Sequence, residues 1–384
     1  MREVAIIGVG IHKFGRFGEE KTGYEMGRDA VIDALKDAGI EWKLIQAAYS
    51  GSVVGRFGDA IVQDLGLTGI PVINVSNACA TSGSAITLGY QAVAAGFYDV
   101  VLAFGYEKMP RGFIAIADPG ISGMGLIWFG AIGLLVNPLY FAMKIRRHME
   151  DYGTTEDQLV KVSVKSHKNA SLNPNAMYQK ALTYEEIANS RMVCDPIRLY
   201  ELCAPNEGGA AAILCSMNVA RRYTRKPVRI AASVFKTRLY GTAEVPHIYR
   251  SANIKAPTPV MEAAKAAYEI VGIGPEDLDV AELQDTHSGD EIMHCEEVGL
   301  CPPGEGGRLV DEGATEIGGR IPVNPGGGLI SCGEALGASG LRQVHEIVLQ
   351  LRGDAGPRQV KDAKVGLTQV YGAPGVSSVI ILKR

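Results

Sequence analysis

Cys79 is the residue of this sequence whose setting most suggests chemistry. It lies in the stretch NACATSGSA, residues 77–85, directly after the apolar run from Ile70 to Val75, at the predicted join of a strand and a helix. A helix N-terminus favours a thiolate and lowers the pKa of a thiol there. Small neighbours leave room for a substrate carbonyl, and backbone N–H groups of such a turn can face a developing oxyanion. The pattern indicates a nucleophile, with a buried small hydrophobe as the alternative.

The remaining cysteines suggest a different role. Cys194, Cys203 and Cys215 are interpreted as buried packing residues. The seven cysteines form no C-x-x-C pair and no Cys/His metal spacing, which predicts reduced thiols, no metal site and a cytoplasmic protein. The glycines of GVG at 8–10 predict only a tight turn, because Lys13 stands where a dinucleotide fingerprint needs its third glycine.

Length and charge narrow the class of protein. A chain of 384 residues suits two domains or one large α/β unit with an insertion. A net charge of −4 gives no general attraction to nucleic acid or anionic membranes. The run from Pro119 to Met143 has no charged residue and is long enough to span a bilayer. Repeated Gly and Pro, and basic residues at one end only, favour a buried or substrate-lining insertion without a membrane span.

The chain repeats itself. Three pairs of similar segments occur in the same order, namely residues 30–40 with 263–273, 69–83 with 320–340, and 99–106 with 364–372. Each pair has the pattern of a helix or a strand in an alternating α/β arrangement. The repeat predicts an N-terminal half at 1–225, containing an insertion at about 110–200, and a C-terminal half at 226–384.

Over essentially its whole length the chain resembles the thiolase superfamily, and within it the sterol-carrier and archaeal-type branch. The matching motifs are the turn at Cys79, the segment from Glu207 to Ala212 and the stretch NPGGGLISCGEALGASG. The resemblance implies a layered αβαβα fold of two duplicated halves with an inserted loop domain. It also implies that Cys79 carries an acyl group taken from a 3-oxoacyl-CoA. Coenzyme A would be a substrate rather than a permanently bound cofactor, and the expected partners are a second copy and a small zinc-ribbon/OB-fold subunit.

The acid/base residues of the family are replaced in this chain. Where thiolases have Gly-His-Pro, the sequence reads GEA at 333–335, so that Glu334 stands in place of the histidine. Glu334 can act as a base if burial raises its pKa, or it can simply cap the next helix. The second reactive cysteine of the family falls on Gln369 or Val370, and neither side chain transfers protons. The backbone N–H of Gly372 can still serve an oxyanion hole.

A third motif also differs from its relatives. Where relatives have Asn-Glu-Ala-Phe or His-Asp-Cys-Phe, this chain has Gln-Asp-Thr-His at 284–287. The resemblance assigns Gln284 to the oxyanion hole. His287 is interpreted either as a relocated acid/base or as a satisfied polar histidine, and Cys332 as a packing residue or a further acid/base.

These departures leave three interpretations. The first is an acyltransferase of the thiolase type with a rebuilt acid/base set. The second is a thiolase-fold retro-aldolase acting on a CoA thioester, which needs no cysteine nucleophile. The third is a non-catalytic acyl-CoA or lipid carrier. Aromatic residues of the insertion, Trp128, Phe129, Tyr140 and Phe141, suggest a bulky or aromatic acyl group. Benzoylsuccinyl-CoA and acetoacetyl-CoA both remain candidate substrates.

Overall fold

The protein was analysed as a computed structural model. The residues it describes are 1–55, 57–114, 136–224, 226–239, 257–373 and 375–384. Trp128 and Phe129, which we expected to line the substrate site, lie outside these residues. Every helix in the described ranges is too short or too polar to cross a lipid bilayer.

The first half of the chain alternates strands and helices. Its elements up to the insertion are β1 Val4–Gly15, α1 Gly23–Ala38, β2 Ala47–Gly51, α2 Ile61–Leu65, β3 Val72–Val75, α3 Thr81–Ala95 and β4 Val100–Lys108. The α1 helix starts at a capping box, in which Thr22 and Glu25 satisfy each other's backbone N–H groups, and it ends at a left-handed Gly39. After the insertion this half closes with β7 Glu207–Ser216 and α7 Met217–Tyr223.

The insertion between β4 and β7 is mainly helical. Its described elements are α4 Asn137–Tyr152, α5 Glu156–Ala170, α6 Tyr184–Ala188, β5 Met192–Cys194 and β6 Ile197–Arg198. Tyr140, Ile145 and Leu159 of α4 and α5 pack in one apolar cluster with Ile292 and Ile330 of the second half. The insertion is therefore fixed against the second half by buried apolar surface.

The second half repeats the strand–helix alternation. Its elements are β8 Val228–Thr237, α8 Pro259–Val271, β9 Val280–Leu283, α9 Ser288–Glu297, α10 Gly306–Asp311, α11 Gly328–Cys332, α12 Ser339–Arg352, β10 Val365–Gly372 and β11 Val376–Lys383.

One mixed sheet of nine strands runs through both halves. Its order is β3-β2-β4-β7-β1 followed by β8-β11-β10-β9. The two halves have the same arrangement when each is followed outward from the β1–β8 junction. In the first half, β7 and then β4 are antiparallel to the preceding strand and β2 is parallel to β4. In the second half, β11 and then β10 are antiparallel to the preceding strand and β9 is parallel to β10. The predicted layered α/β thiolase-like fold is confirmed. The boundary between residues 225 and 226 stays a prediction, and β8 begins just after it.

Two central helices bring the halves together at the site. The α3 helix follows the turn that holds Cys79, and α12 follows the segment that holds Glu334. The helices touch closely, because the Leu341 N–H donates to Ser82 Oγ over 3.2 Å. A Cβ atom added at Gly340 would lie only 2.9 Å from the same oxygen. This contact sets the distance between the two functional loops.

Candidate active site

The turn before α3 holds Cys79 in a constrained backbone. Ala78 has φ of +49°, a left-handed conformation that is rare for a residue with a side chain. The Thr81 hydroxyl donates to the Ala78 carbonyl over 2.6 Å and accepts from the Asn77 N–H over 2.8 Å. These bonds hold the turn in place and fix where the Cys79 thiol points.

The Cys79 thiol is neutral in its resting state. Burial raises its pKa well above the ordinary value, and the nearby Glu334 carboxylate raises it further, while a hydrogen bond from Gln284 acts in the opposite direction. The expectation that the helix start would lower this pKa is therefore wrong, because desolvation by burial and the Glu334 charge raise it. A base is needed before Cys79 can act as a nucleophile.

Glu334 is buried beside the thiol. Its carboxylate accepts a hydrogen bond from the Cys203 thiol over 3.5 Å and also interacts with the Cys79 thiol, while burial raises its pKa above the usual value. The Glu334 N–H donates to the Ala204 carbonyl over 2.9 Å, which fixes the residue against the strand segment before β7. The alternative that Glu334 caps a helix is excluded, since α12 starts only at Ser339.

Gln284 completes the polar group around Cys79. Its Nε2 lies 3.4 Å from Glu334 Oε1 and 3.2 Å from Thr286 Oγ1. Its Oε1 accepts the Tyr371 N–H. The amide is thus held with its Nε2 toward Thr286 and the Glu334 carboxylate, and its role as an oxyanion-hole donor stays a prediction.

His287 lies at the N-terminal end of α9. It is the N-cap of that helix, and its Nδ1 accepts the Gly289 N–H over 3.0 Å. Its Nε2 lies 3.4 Å from Asp290 Oδ1. Burial alone would raise the pKa of Asp290, but its interactions with His287 and Lys144 lower it well below its usual range. These contacts favour a helix cap over an acid/base, and the catalytic role of His287 stays a prediction.

The end of β10 lies against the nucleophile turn. A Cβ atom at Gly372 would meet the Asn77 carbonyl oxygen at 2.4 Å and Ala80 Cβ at 3.1 Å. Gly372 is therefore in place beside Cys79, while its role as an oxyanion donor stays a prediction. Gln369 is buried, and its Oε1 accepts a hydrogen bond from the backbone N–H of Gln284 over 3.1 Å. Val370 belongs to the apolar core.

Cys203 is the site residue that sequence reasoning missed. We interpreted it as packing, but its thiol donates to Glu334 Oε2 over 3.5 Å. The Cys203 N–H also donates to the Thr286 carbonyl over 2.9 Å, which ties the insertion to the Gln284 motif. The signal in the sequence that could have identified Cys203 was its position, four residues before the motif that starts at Glu207. Cys332 is buried at the end of α11 and its thiol donates to the Gly326 carbonyl over 3.3 Å, which favours the packing interpretation.

A cleft leads from the surface to Cys203. It encloses about 1060 Å³, part of it open to solvent. Its lining is mainly aromatic and aliphatic with two arginines, and includes Phe113, Tyr178, Tyr200, Leu202, Arg16 and Arg111. Tyr140 and Phe141, by contrast, are buried in the apolar cluster of the insertion. The expectation that these two offer substrate surface is wrong, because they pack inward from α4.

The described residues hold no cluster of three His, Cys, Asp or Glu side chains arranged to bind a metal ion. The group of Cys79, Glu334, Gln284 and Cys203 instead combines thiols, a carboxylate and an amide. Such a group is suited to covalent acyl transfer with proton transfer.

Comparison with known proteins places this site in a family. Residues 4–217 match the thiolase N-terminal domain, and residues 242–384 match the thiolase C-terminal domain-like family. An acetyl-CoA acetyltransferase of Methanothermobacter thermautotrophicus is 39% identical over 100% of both chains. Sterol carrier protein 2 of Bos taurus is 38% identical over 99% of this chain and 72% of its own length. The benzoylsuccinyl-CoA thiolase subunit BbsB of Thauera aromatica is 34% identical over 97% of this chain and 95% of its own length.

Solved structures agree with these matches. The Ltp2-ChsH2(DUF35) aldolase superposes with a TM-score of 0.87 at 25% identity, covering 98% of this chain and 97% of the other. Human mitochondrial 3-ketoacyl-CoA thiolase has a TM-score of 0.73 at 16% identity, covering 100% and 98%, which supports the fold alone. The chain thus belongs to the thiolase family of acyl-CoA acyltransferases.

Proposed function

We propose that this protein cleaves or forms a 3-oxoacyl-CoA through an acyl group held on Cys79. The observation that carries the proposal is the placement of the buried Glu334 carboxylate beside the Cys79 thiol. Glu334 removes the thiol proton, and the thiolate attacks the 3-keto carbon. Cleavage of the bond between C2 and C3 leaves the acyl group on Cys79 and releases a shorter acyl-CoA as its enolate. Free CoA then attacks the acyl-enzyme and regenerates Cys79.

The amide and backbone donors around Cys79 support this reaction. Gln284 Nε2 is held near the thiol by Thr286, Glu334 and the Tyr371 N–H bond to its oxygen. An oxyanion formed from the attacked carbonyl needs donors of this kind, whose loss typically costs about 10²–10³-fold in kcat. We assign Gln284, with the Gly372 N–H, to that role.

Trapping the acyl-enzyme tests the proposal. The protein is incubated with a 3-oxoacyl-CoA in the absence of free CoA, and its peptides are searched by mass spectrometry for a thioester. We expect the adduct on Cys79, its loss in Cys79→Ala, and no loss in the control Cys301→Ala, a cysteine of the second apolar core. An adduct confined to another cysteine, or full activity of Cys79→Ala, would contradict the proposal.

We further propose a bulky or aromatic acyl group as the substrate, with benzoylsuccinyl-CoA as a candidate. The cleft that ends at Cys203 supports this choice, because its aromatic and aliphatic walls suit an apolar group. Arg111 adds positive charge that suits an anionic CoA thioester, whereas the charge of Arg16 is paired with Glu207 over 3.5 Å. The similarity to a benzoylsuccinyl-CoA thiolase subunit points the same way, whereas the acetyl-CoA acetyltransferase relative favours acetoacetyl-CoA. Relative kcat/KM for the two thioesters decides between them.

Retro-aldol cleavage is the second candidate function. It is favoured by the similarity to the Ltp2-ChsH2(DUF35) aldolase. Such cleavage needs no covalent acyl intermediate, so that a Cys79→Ala variant would keep its activity on a β-hydroxyacyl-CoA. The placement of Cys79 against a base argues for acyl transfer.

We also propose a homodimer that binds a small zinc-ribbon/OB-fold subunit. The DUF35 partner named for the aldolase and the subunit designation of BbsB support this arrangement. Light scattering of the purified chain, with and without such a subunit co-expressed, tests it; a fully active monomer would contradict it. The seven free cysteines are consistent with a reducing compartment, and we propose the cytoplasm.

A further inference from the structure

We propose that the Cys203 thiol is the second proton-transferring group of the site and donates the proton that converts the product enolate into the released acyl-CoA. The inference rests on the proposed thiolase reaction and adds a catalytic residue to it. The family's C-terminal cysteine is replaced by Gln369 or Val370, so the reaction needs another acid.

The geometry places Cys203 in contact with Glu334, the carboxylate that also lies beside Cys79. Its Sγ lies 3.5 Å from Glu334 Oε2, while Glu334 Oε1 faces Gln284. The same carboxylate lies beside the Cys79 thiol. One carboxylate therefore bridges two thiols, and each of its oxygens has a donor.

The backbone around Cys203 is fixed on both sides. Its own N–H donates to the Thr286 carbonyl over 2.9 Å. One residue later, the Ala204 carbonyl accepts the Glu334 N–H over 2.9 Å, and the Asn206 N–H donates to the Glu334 carbonyl over 3.0 Å. The backbones of Cys203 and Glu334 are thus held next to each other by main-chain hydrogen bonds, which brings the two side chains together.

Cys203 also faces the space where a substrate would enter. Its side chain is 3% exposed, yet it forms part of the wall of the cleft. Burial and the Glu334 charge raise the pKa of its thiol well above the ordinary value. A thiol that stays protonated is suited to give a proton to a strongly basic carbanion such as an enolate.

The proton balance of the cycle closes with these three residues. Glu334 takes the proton of Cys79, and the resulting thiolate becomes acylated as the enolate leaves. Cys203 gives its S–H proton to the enolate carbon, and protonated Glu334 then reprotonates Cys203. Incoming CoA gives its thiol proton to Glu334 as it attacks the acyl-enzyme. Glu334 finally returns that proton to Cys79.

Separating the two half-reactions tests the assignment. The variants are Cys203→Ala and Cys203→Ser, with Cys301→Ala as the matched buried-cysteine control. Acylation of Cys79 is followed by mass spectrometry, and protonation at carbon is followed as deuterium exchange at C2 of the short acyl-CoA in D₂O. We expect both Cys203 variants to acylate Cys79 while exchange falls about 10²–10⁴-fold. Serine keeps the size and the hydrogen bond but is too weak an acid.

Each other outcome contradicts the assignment. Near-normal exchange in Cys203→Ser would make Cys203 a packing residue. Loss of both acylation and exchange in folded variants would make it a positioning residue for Glu334. If the unmodified protein forms no acyl-Cys79, the proposed function itself fails, and the role of Cys203 fails with it.

Discussion

Gln284 Nε2 lies 3.4 Å from Glu334 Oε1, although 50 residues separate the two positions in the chain. An amide that donates to a carboxylate stabilises its ionised form and so opposes the effect of burial. Burial still prevails, and the pKa of Glu334 is raised. The result is a buried carboxylate with a raised pKa beside Cys79, which we propose as the acceptor of the thiol proton.

Replacing Glu334 by glutamine removes this base while preserving its size. We expect kcat for thiolysis in Glu334→Gln to fall about 10²–10⁴-fold. Circular dichroism should show an unchanged fold, because α12 needs no cap from this side chain. Glu312→Gln, an exposed glutamate near Arg308, is the control and should keep normal turnover. Near-normal activity of Glu334→Gln would rule out Glu334 as the base and make His287 the leading candidate.

The same variant should change how stability depends on pH. The folded-state pKa of Glu334 lies above the ordinary value of 4.5. Between these two pKa values the folded protein binds more protons than the unfolded chain, so that the free energy of unfolding falls as pH rises through this window. The glutamine of Glu334→Gln does not titrate, so the variant does not lose free energy of unfolding in this way as the pH rises. Its stability relative to the unmodified protein should therefore increase from pH 4 to pH 8 in urea unfolding; a constant difference would contradict the raised pKa.

Adding a charge at Gln284 tests the electrostatic coupling. In Gln284→Glu two carboxylates face each other, so the pKa of Glu334 should rise further. The acid limb of the kcat/KM profile should move to higher pH, and kcat at its plateau should fall about 10²–10³-fold through loss of the amide donor. Thr286→Val removes only the second bond of the Gln284 amide and is the control. An unshifted acid limb would show that Glu334 does not govern it.

The sequence predicted the parts of the site that lie in continuous motifs. Cys79 stands at a strand–helix join that apolar pattern and small residues reveal, and the paired segments of the two halves predicted the repeated sheet. The replacement of the family histidine by Glu334 followed from the motif GEA alone. These features depend on local pattern and on resemblance, and both are present in one sequence.

Contacts between residues far apart in the chain could not be predicted from the sequence. Cys203 and Glu334 are 131 residues apart, and their contact depends on how the insertion folds back between β4 and β7. The pKa of Cys79 was misjudged for the same reason, because the buried carboxylate that raises it comes from the second half. Tyr140 and Phe141 turned inward because α4 packs on α9, a contact that composition does not reveal.

Gly372 should be intolerant of any side chain. In Gly372→Ala the new Cβ would lie 2.4 Å from the Asn77 carbonyl, so the turn that carries Cys79 must move. A displacement of about 1 Å at a reacting atom can cost about 10²-fold in rate, and we expect kcat to fall by that order. The control is Gly89→Ala in α3, where the nearest atom would be at an ordinary 3.4 Å. Alanine there should leave activity intact and stabilise the helix by about 0.5–1 kcal/mol. Equal activity of the two variants would contradict the close approach of β10 to the nucleophile.

Filling the cleft should change the choice of substrate without disturbing the chemistry. Ala204 lines the cleft beside Cys203, and only its backbone carbonyl binds the Glu334 N–H. In Ala204→Leu that bond is retained while the larger side chain occupies space that a bulky acyl group would need. Overpacking of this kind costs about 1–3 kcal/mol, so kcat/KM for an aromatic 3-oxoacyl-CoA should fall about 10–100-fold. Acetoacetyl-CoA, whose acyl group is small, should be cleaved at nearly the original rate by the same variant. If both substrates lose activity equally, the cleft is not the acyl site and Ala204→Leu has instead displaced Glu334.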